Sequence, residues 1–166
     1  MPSPQFDSLP AMPAAPAPAA IRVRSRQRTR ASQSESGHIF TRSYGGQVYE
    51  VTLSYNPMTR TQAAPLIAFL QSRKGRDSKF KVDISGLAEA PGLHVGSFAN
   101  FSDSTKLYLI TGTSPVEVTP SRSNTANPFT DTVFMYASLV GDVQEVSLGR
   151  GGLIRLEVDL VERLPL

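Results

Sequence analysis

Residues 37–55 read GHIFTRSYGGQVYEVTLSY. In the second half Tyr49, Val51, Leu53 and Tyr55 alternate with Val48, Glu50, Thr52 and Ser54. Successive side chains of an extended strand point to opposite faces, so this spacing gives one apolar, aromatic face and one mostly polar face. Gly45-Gly46 stands just before it. Glycine reaches positive φ without a Cβ conflict, which a tight two-residue reversal requires. The pattern predicts a hairpin with strands at 37–44 and 47–55 and its turn at Gly45-Gly46.

Upstream, residues 21–30 read IRVRSRQRTR. Arg22, Arg24, Arg26, Arg28 and Arg30 occupy every second position, so a strand places all five on one face. The other face carries Ile21, Val23, Ser25, Gln27 and Thr29. This fits an edge strand, where charge blocks unwanted pairing. Residues 1–20 hold six prolines and six alanines. They predict an extended arm, because proline removes a backbone donor and favours polyproline geometry. Phe6, Leu9 and Met12 recur at the three-residue period of that geometry and form a candidate contact stripe.

Downstream, NPMTRTQAAPLIAFLQSRKG predicts the one sizeable helix. Thr59 and Gln62 have capping-box spacing, and Leu66, Ile67, Phe69 and Leu70 supply the core-facing stripe. Arg73, Lys74 and Gly75 suit its C-terminal end. Pro65 lies too deep for a regular helix from Arg60, so a start near Gln62 or an irregular first turn is expected. Short strands follow at 79–85, between 93 and 119, and at 132–139, 142–149 and 152–164. Gly149-Arg150-Gly151-Gly152 forms the last hairpin turn. Residues 120–130, PSRSNTANPFT, carry only loop signals. Many short strands with Gly and Pro turns predict a mainly β fold, a β-sandwich or barrel with one packed α-helix. The arm covers 1–20 and the β-domain 21–166.

Composition narrows the chemistry. The chain has 166 residues, no cysteine, and a net charge of +3. Disulfides, thiolate metal sites and a cysteine nucleophile are therefore absent. The charge is local: residues 1–45 hold six arginines against Asp7 and Glu35, and the remainder is slightly acidic. No apolar run is long enough to cross a bilayer as a helix. His38 and His94 have no metal-ligand spacing, and neither GxSxG nor a phosphate-loop pattern occurs. The basic run 72–81, with Arg73, Lys74, Arg76, Lys79 and Lys81, reads as a helix end and a solvated turn. Glu157, Asp159 and Glu162 fall in the last strand, with Glu157 and Asp159 on one face beside Arg155. Catalytic, metal and cofactor residues are thus not expected. The five-arginine comb resists a neutral reading, because like charges on one face need an offset: a protein neighbour, solvent or nucleic acid, in that order.

Residues 24–82 resemble the N-terminal unit of phage tail-tip and distal-tail proteins. The resemblance lies in an Arg-Ser strand, a Gly-Gly segment, an aromatic alternating strand, and then Met58, Thr59, Arg60, Gln62, Ala63, Ala64, Pro65, Leu66, Ala68, Phe69, Leu70 and Gly75. GDVQEVSLGRGGLIRLEVDLVERL, residues 141–164, is similar to that family's closing hairpin. The resemblance covers 20–85 and 141–164, leaving 86–140 as a variable middle or insertion. It implies a tail-tube-like β-sandwich and a structural, non-enzymatic distal-tail or tail-tip ring subunit. Such a subunit joins the tail tube to the tip. The implied partners are sister copies in a homo-oligomeric ring, usually a hexamer, and neighbouring tail proteins. DNA would only pass through the channel, the chain would insert in no membrane, and it would reside in the virion after assembly in the host cytoplasm. Phe6, Leu9, Met12 and the comb arginines then become subunit-interface candidates. Two other functions are open: a nucleic-acid-binding β-barrel using residues 22–30, and a carbohydrate-binding module with Tyr108, Phe129 and Tyr136.

Overall fold

The computed structural model describes residues 4–87, 93–143 and 145–164. Its first elements are β1 (Ala20–Gln33), β2 (Ile39–Ser54), α1 (Arg60–Ser72) and β3 (Phe80–Asp83). Then come β4 (Phe98–Phe101), β5 (Ser104–Thr113), β6 (Val116–Thr119) and β7 (Phe134–Leu139), and finally β8 (Ser147–Leu148), β9 (Ile154–Arg155) and β10 (Glu157–Glu162). Among the described residues the protein is mainly β with one α-helix, as the patterning predicts.

Five strands form an antiparallel sheet in the order β1-β2-β10-β7-β3, and β4-β5-β6 form a second. Register places Val51, Leu160 and Leu139 side by side, and Ala137 opposite Phe80. These residues, with Tyr49, Leu53, Val82, Met135 and Val158, make one buried apolar face. Ala63, Leu66 and Leu70 of α1 join the same core, as do Phe98 of β4 and Leu107 of β5. The Phe69 ring stands edge-on to Phe80 at 5.2 Å, and Tyr49 edge-on to Phe98 at 5.4 Å. The second layer is therefore part helix and part sheet. Residues 86–140, expected as a variable middle, supply both that second sheet and β7, an interior strand of the first.

The hairpin differs from the expected one. β2 runs without interruption from Ile39 to Ser54, and β1 pairs with it from Ala20↔Ser54 to Gln33↔Ile39. The reversal lies at Ser34–His38, where Ser34 N donates to His38 O at 2.9 Å and Gly37 sits at φ 86. Gly45 and Gly46, at φ 69 and 66, instead form bulges opposite Arg26–Thr29. Positive φ serves a bulge as well as a turn. A reversal at Gly45 would leave β1 without its distal partner, and the long pairing satisfies those backbone groups.

Helix α1 starts at Arg60, earlier than the proline suggests. Both capping-box bonds form: Gln62 N donates to Thr59 Oγ1, and Thr59 N donates to Gln62 Oε1 at 3.1 Å. Leu66 and Leu70 are buried as expected, with Ile67 and Phe69 half-buried. Pro65 is exposed inside the helix and offers no N–H to Thr61. Replacing Pro65 by alanine is expected to raise stability by about 1–3 kcal/mol. A lower urea midpoint in the variant would contradict this.

The arm folds back on its own chain. Pro4–Phe6 form a single 3-10 turn, and Phe6 is fully buried with its ring 5.6 Å from Phe134. Met12 N donates to Lys81 O at 3.1 Å and Lys81 N to Pro10 O at 2.9 Å, so the arm covers the free edge of β3. Met12 is buried and Leu9 half-buried. Of the three candidate contact residues, Phe6 and Met12 are thus enclosed within this chain. The reason is that an apolar side chain beside an open sheet edge finds cover there first.

Candidate assembly interface

The exposed site is the outer half of the β1–β2 ribbon. From Arg24 to Gly46 every residue is exposed except the half-buried Ser34. At about 3.3 Å per residue, the part from Val48 out to Ile39 is roughly 30 Å long. A two-stranded ribbon with both faces in water is marginal by itself.

The comb splits into two parts. Near the body, Arg24 and Arg26 both reach Glu50 on β2, at 3.3 and 3.4 Å. This part is offset within its own chain. Beyond the bulges, Arg30 lies directly opposite Arg42, and Arg28 opposite Gly45. Among the described residues no carboxylate is within ion-pair distance of Arg28, Arg30 or Arg42. The Arg42 guanidinium lies 5.5 Å from the centre of the Tyr44 ring. Ile39, Phe40 and Tyr44 are more than half exposed, at 68, 63 and 55%. The ribbon thus presents cations that lack a carboxylate partner among the described residues, interleaved with apolar and aromatic groups. The comb's own strand has no aromatics; β2 supplies them.

The root of the ribbon is clamped by a buried polar network. Glu162 of β10 accepts from Lys106 Nζ at 2.6 Å, from Leu107 N at 2.7 Å and from Tyr49 N at 3.1 Å. Lys106 and Glu162 are both buried. Burial pushes the Glu162 carboxyl above its ordinary value, against the Lys106 ammonium and the two backbone N–H groups, which pull it down. Tyr49 O–H donates to Thr119 O at 2.7 Å, and Gln47 links Tyr49 and Thr119 to Ser25 Oγ of β1. Burial, and then the Glu162 carboxylate, hold the Tyr49 phenol well above its usual range, so it remains a donor. The network ties β1 and β2 to both sheets where the ribbon leaves the body, and so fixes its direction.

The other sequence candidates are engaged elsewhere. Tyr108 is buried edge-on to Phe101 at 5.3 Å, under the Arg122 guanidinium. Phe129 and Tyr136 are half-buried, and the three make no exposed stacking row. In the basic run, Arg73 covers the Phe69 ring, Arg76 pairs with Asp142 at 3.0 Å, and Lys81 lies over Phe134. Glu157 and Asp159 are exposed on the outer sheet face, with Asp159 accepting from Thr52 Oγ1 at 2.7 Å. Among the described residues no cluster of His, Cys, Asp or Glu could hold a metal ion, and no helix is long and apolar enough to cross a membrane.

Among the described residues, three antiparallel sheets, a single α-helix and a projecting cationic ribbon define the class, a mainly β protein with one helix. Comparison with models of known families finds no match, and no curated protein sequence matches the chain significantly.

Proposed function

We propose that the chain is a structural subunit of a bacteriophage tail, a distal-tail or tail-tip ring component that joins tube to tip and performs no catalysis. The supporting observation is the ribbon. It exposes Ile39, Phe40 and Tyr44 beside Arg28, Arg30 and Arg42, none of which has a carboxylate within ion-pair distance among the described residues. Solvating such a surface is unfavourable, and covering it with another subunit relieves the cost. The motifs at 58–75 and 141–164 supply the phage-tail assignment, and the mainly β fold with one helix is the one they imply. Sister copies and neighbouring tail proteins are the partners of this reading, and the virion is its location.

One observation favours nucleic acid as a second reading: Arg28, Arg30 and Arg42 stand among Phe40 and Tyr44. Cations interleaved with aromatics suit phosphates and bases, and a β-ribbon fits a major groove. One experiment separates the two. Replacing the five comb arginines by serine is expected to weaken self-association at least about tenfold, or ~1.4 kcal/mol, by sedimentation. Unchanged association with a loss of DNA affinity in the same variant would reject the ring reading in favour of nucleic acid.

A further inference from the structure

A groove lies at the end of the β1–β2 ribbon opposite its tip. It is an open cavity of about 890 Å³ between the C-terminal half of α1, residues 139–143 and 145–147, and the start of β10. Ile67 and Leu70 form part of its wall, and Val140, Val143 and Val146 line it while remaining substantially exposed, at 48, 87 and 40%. Its charged lining is Glu145, Glu157, Asp159 and Arg155, which leaves it two negative charges. The distal ribbon, residues 27–46, carries Arg28, Arg30 and Arg42 against Glu35, which leaves it two positive charges. Each surface thus combines exposed apolar side chains with a charge of opposite sign to the other.

We propose that the ribbon tip of one copy seats in this groove of the next copy. The inference rests on the self-assembly reading above and names the surfaces that carry it. Ser54 lines the groove and Ile39 opens β2 at the tip, so the two sites lie about 50 Å apart along one strand. No chain can therefore fill its own groove. A tip-to-groove contact joins two different patches, is heterologous, and propagates from copy to copy until the rotation closes a ring. Arg30 and Arg42 meet Glu145 and Glu157 at the seat, and Phe40 meets the valines. The outer ribbon then gains the packing it lacks in the single chain.

The test uses two full-length charge-inverted proteins. One carries Arg30→Glu with Arg42→Glu, the other Glu145→Arg with Glu157→Arg. Each alone is expected to self-associate at least tenfold more weakly than the parent, while their equimolar mixture recovers association, because each ribbon then faces a groove of opposite charge. Parent-like association of either protein alone, or no recovery in the mixture, overturns the proposal. Since the chain has no cysteine, a Phe40→Cys, Val146→Cys protein adds a positional readout. Mild oxidation is expected to give a ladder of disulfide-linked oligomers that neither single-cysteine protein forms. Rings without such a ladder overturn the tip-to-groove contact and leave the ring reading standing. Monomers without a ladder overturn both. If the groove instead holds a basic segment of another protein, the parent stays monomeric, and this proposal fails.

Discussion

Replacing Glu162 by alanine is expected to destabilise the protein by about 3–5 kcal/mol, because it leaves the Lys106 ammonium buried without its counter-charge. Two backbone donors, Tyr49 N and Leu107 N, lose their acceptor in the same step. Neither has water at hand, since Tyr49 and Leu107 are both buried. The damage falls where the ribbon joins the body, so β1 and β2 should lose protection from hydrogen exchange before α1 does. Glutamine at 162 removes the charge at nearly constant side-chain volume. It keeps one acceptor oxygen but turns an NH₂ toward groups that are themselves donors. The pH dependence has a definite sign. The folded carboxyl is raised above its ordinary 4.5, so the folded state holds the proton more tightly than the unfolded chain. Its contribution is fully present below the unfolded value and is lost as pH rises through the folded one. The wild type's advantage over Glu162→Gln should therefore be largest below pH 4.5 and shrink as pH rises above it. Urea midpoints of both proteins across this range measure it. An advantage that grows with pH would show that the ion pair outweighs desolvation.

The second large effect is expected from Phe6→Ala, a loss of about 3–5 kcal/mol. Phe6 is fully enclosed and its ring packs on Phe134, which also has the Lys81 ammonium 5.1 Å from its ring centre. The same arm masks the β3 edge through Pro10 and Met12. Removing residues 1–12 should therefore cause both destabilisation and aggregation through that edge. A Phe6→Ala protein with the wild-type urea midpoint would mean that the arm does not dock on its own sheet.

Where alternation was regular, the sequence was readable. Tyr49, Val51, Leu53 and Tyr55 are all buried, as are Ile154, Leu156, Val158 and Leu160. The capping box at Thr59 and Gln62 forms as its spacing predicts. Gly45-Gly46 misled because positive φ is a local property, whereas the choice between turn and bulge depends on what β1 pairs with. SESGH at 34–38 carried the competing turn signal, with Gly37 at φ 86. Placing the reversal there would have brought Phe40, Arg42 and Tyr44 next to the comb.

Glu162 was grouped with the surface carboxylates Glu157 and Asp159, yet its even position aligns it with Val158 and Leu160 on the buried face. That parity was a usable signal. Lys106 had none, because β5 is buried on both faces and no alternation marks its single cation as enclosed. The arm's fate was not legible either. Three-residue spacing of Phe6, Leu9 and Met12 describes a stripe, and only the fold decides which chain it covers.

We propose above that the projecting ribbon joins copies of this chain into a ring. Electron-microscopic imaging of the purified full-length protein, across a concentration series, tests it most directly. Closed rings around an axial channel, lost on replacing the comb arginines, are the expected result. Single compact particles at every concentration, with the parent and the comb variant alike, would contradict it.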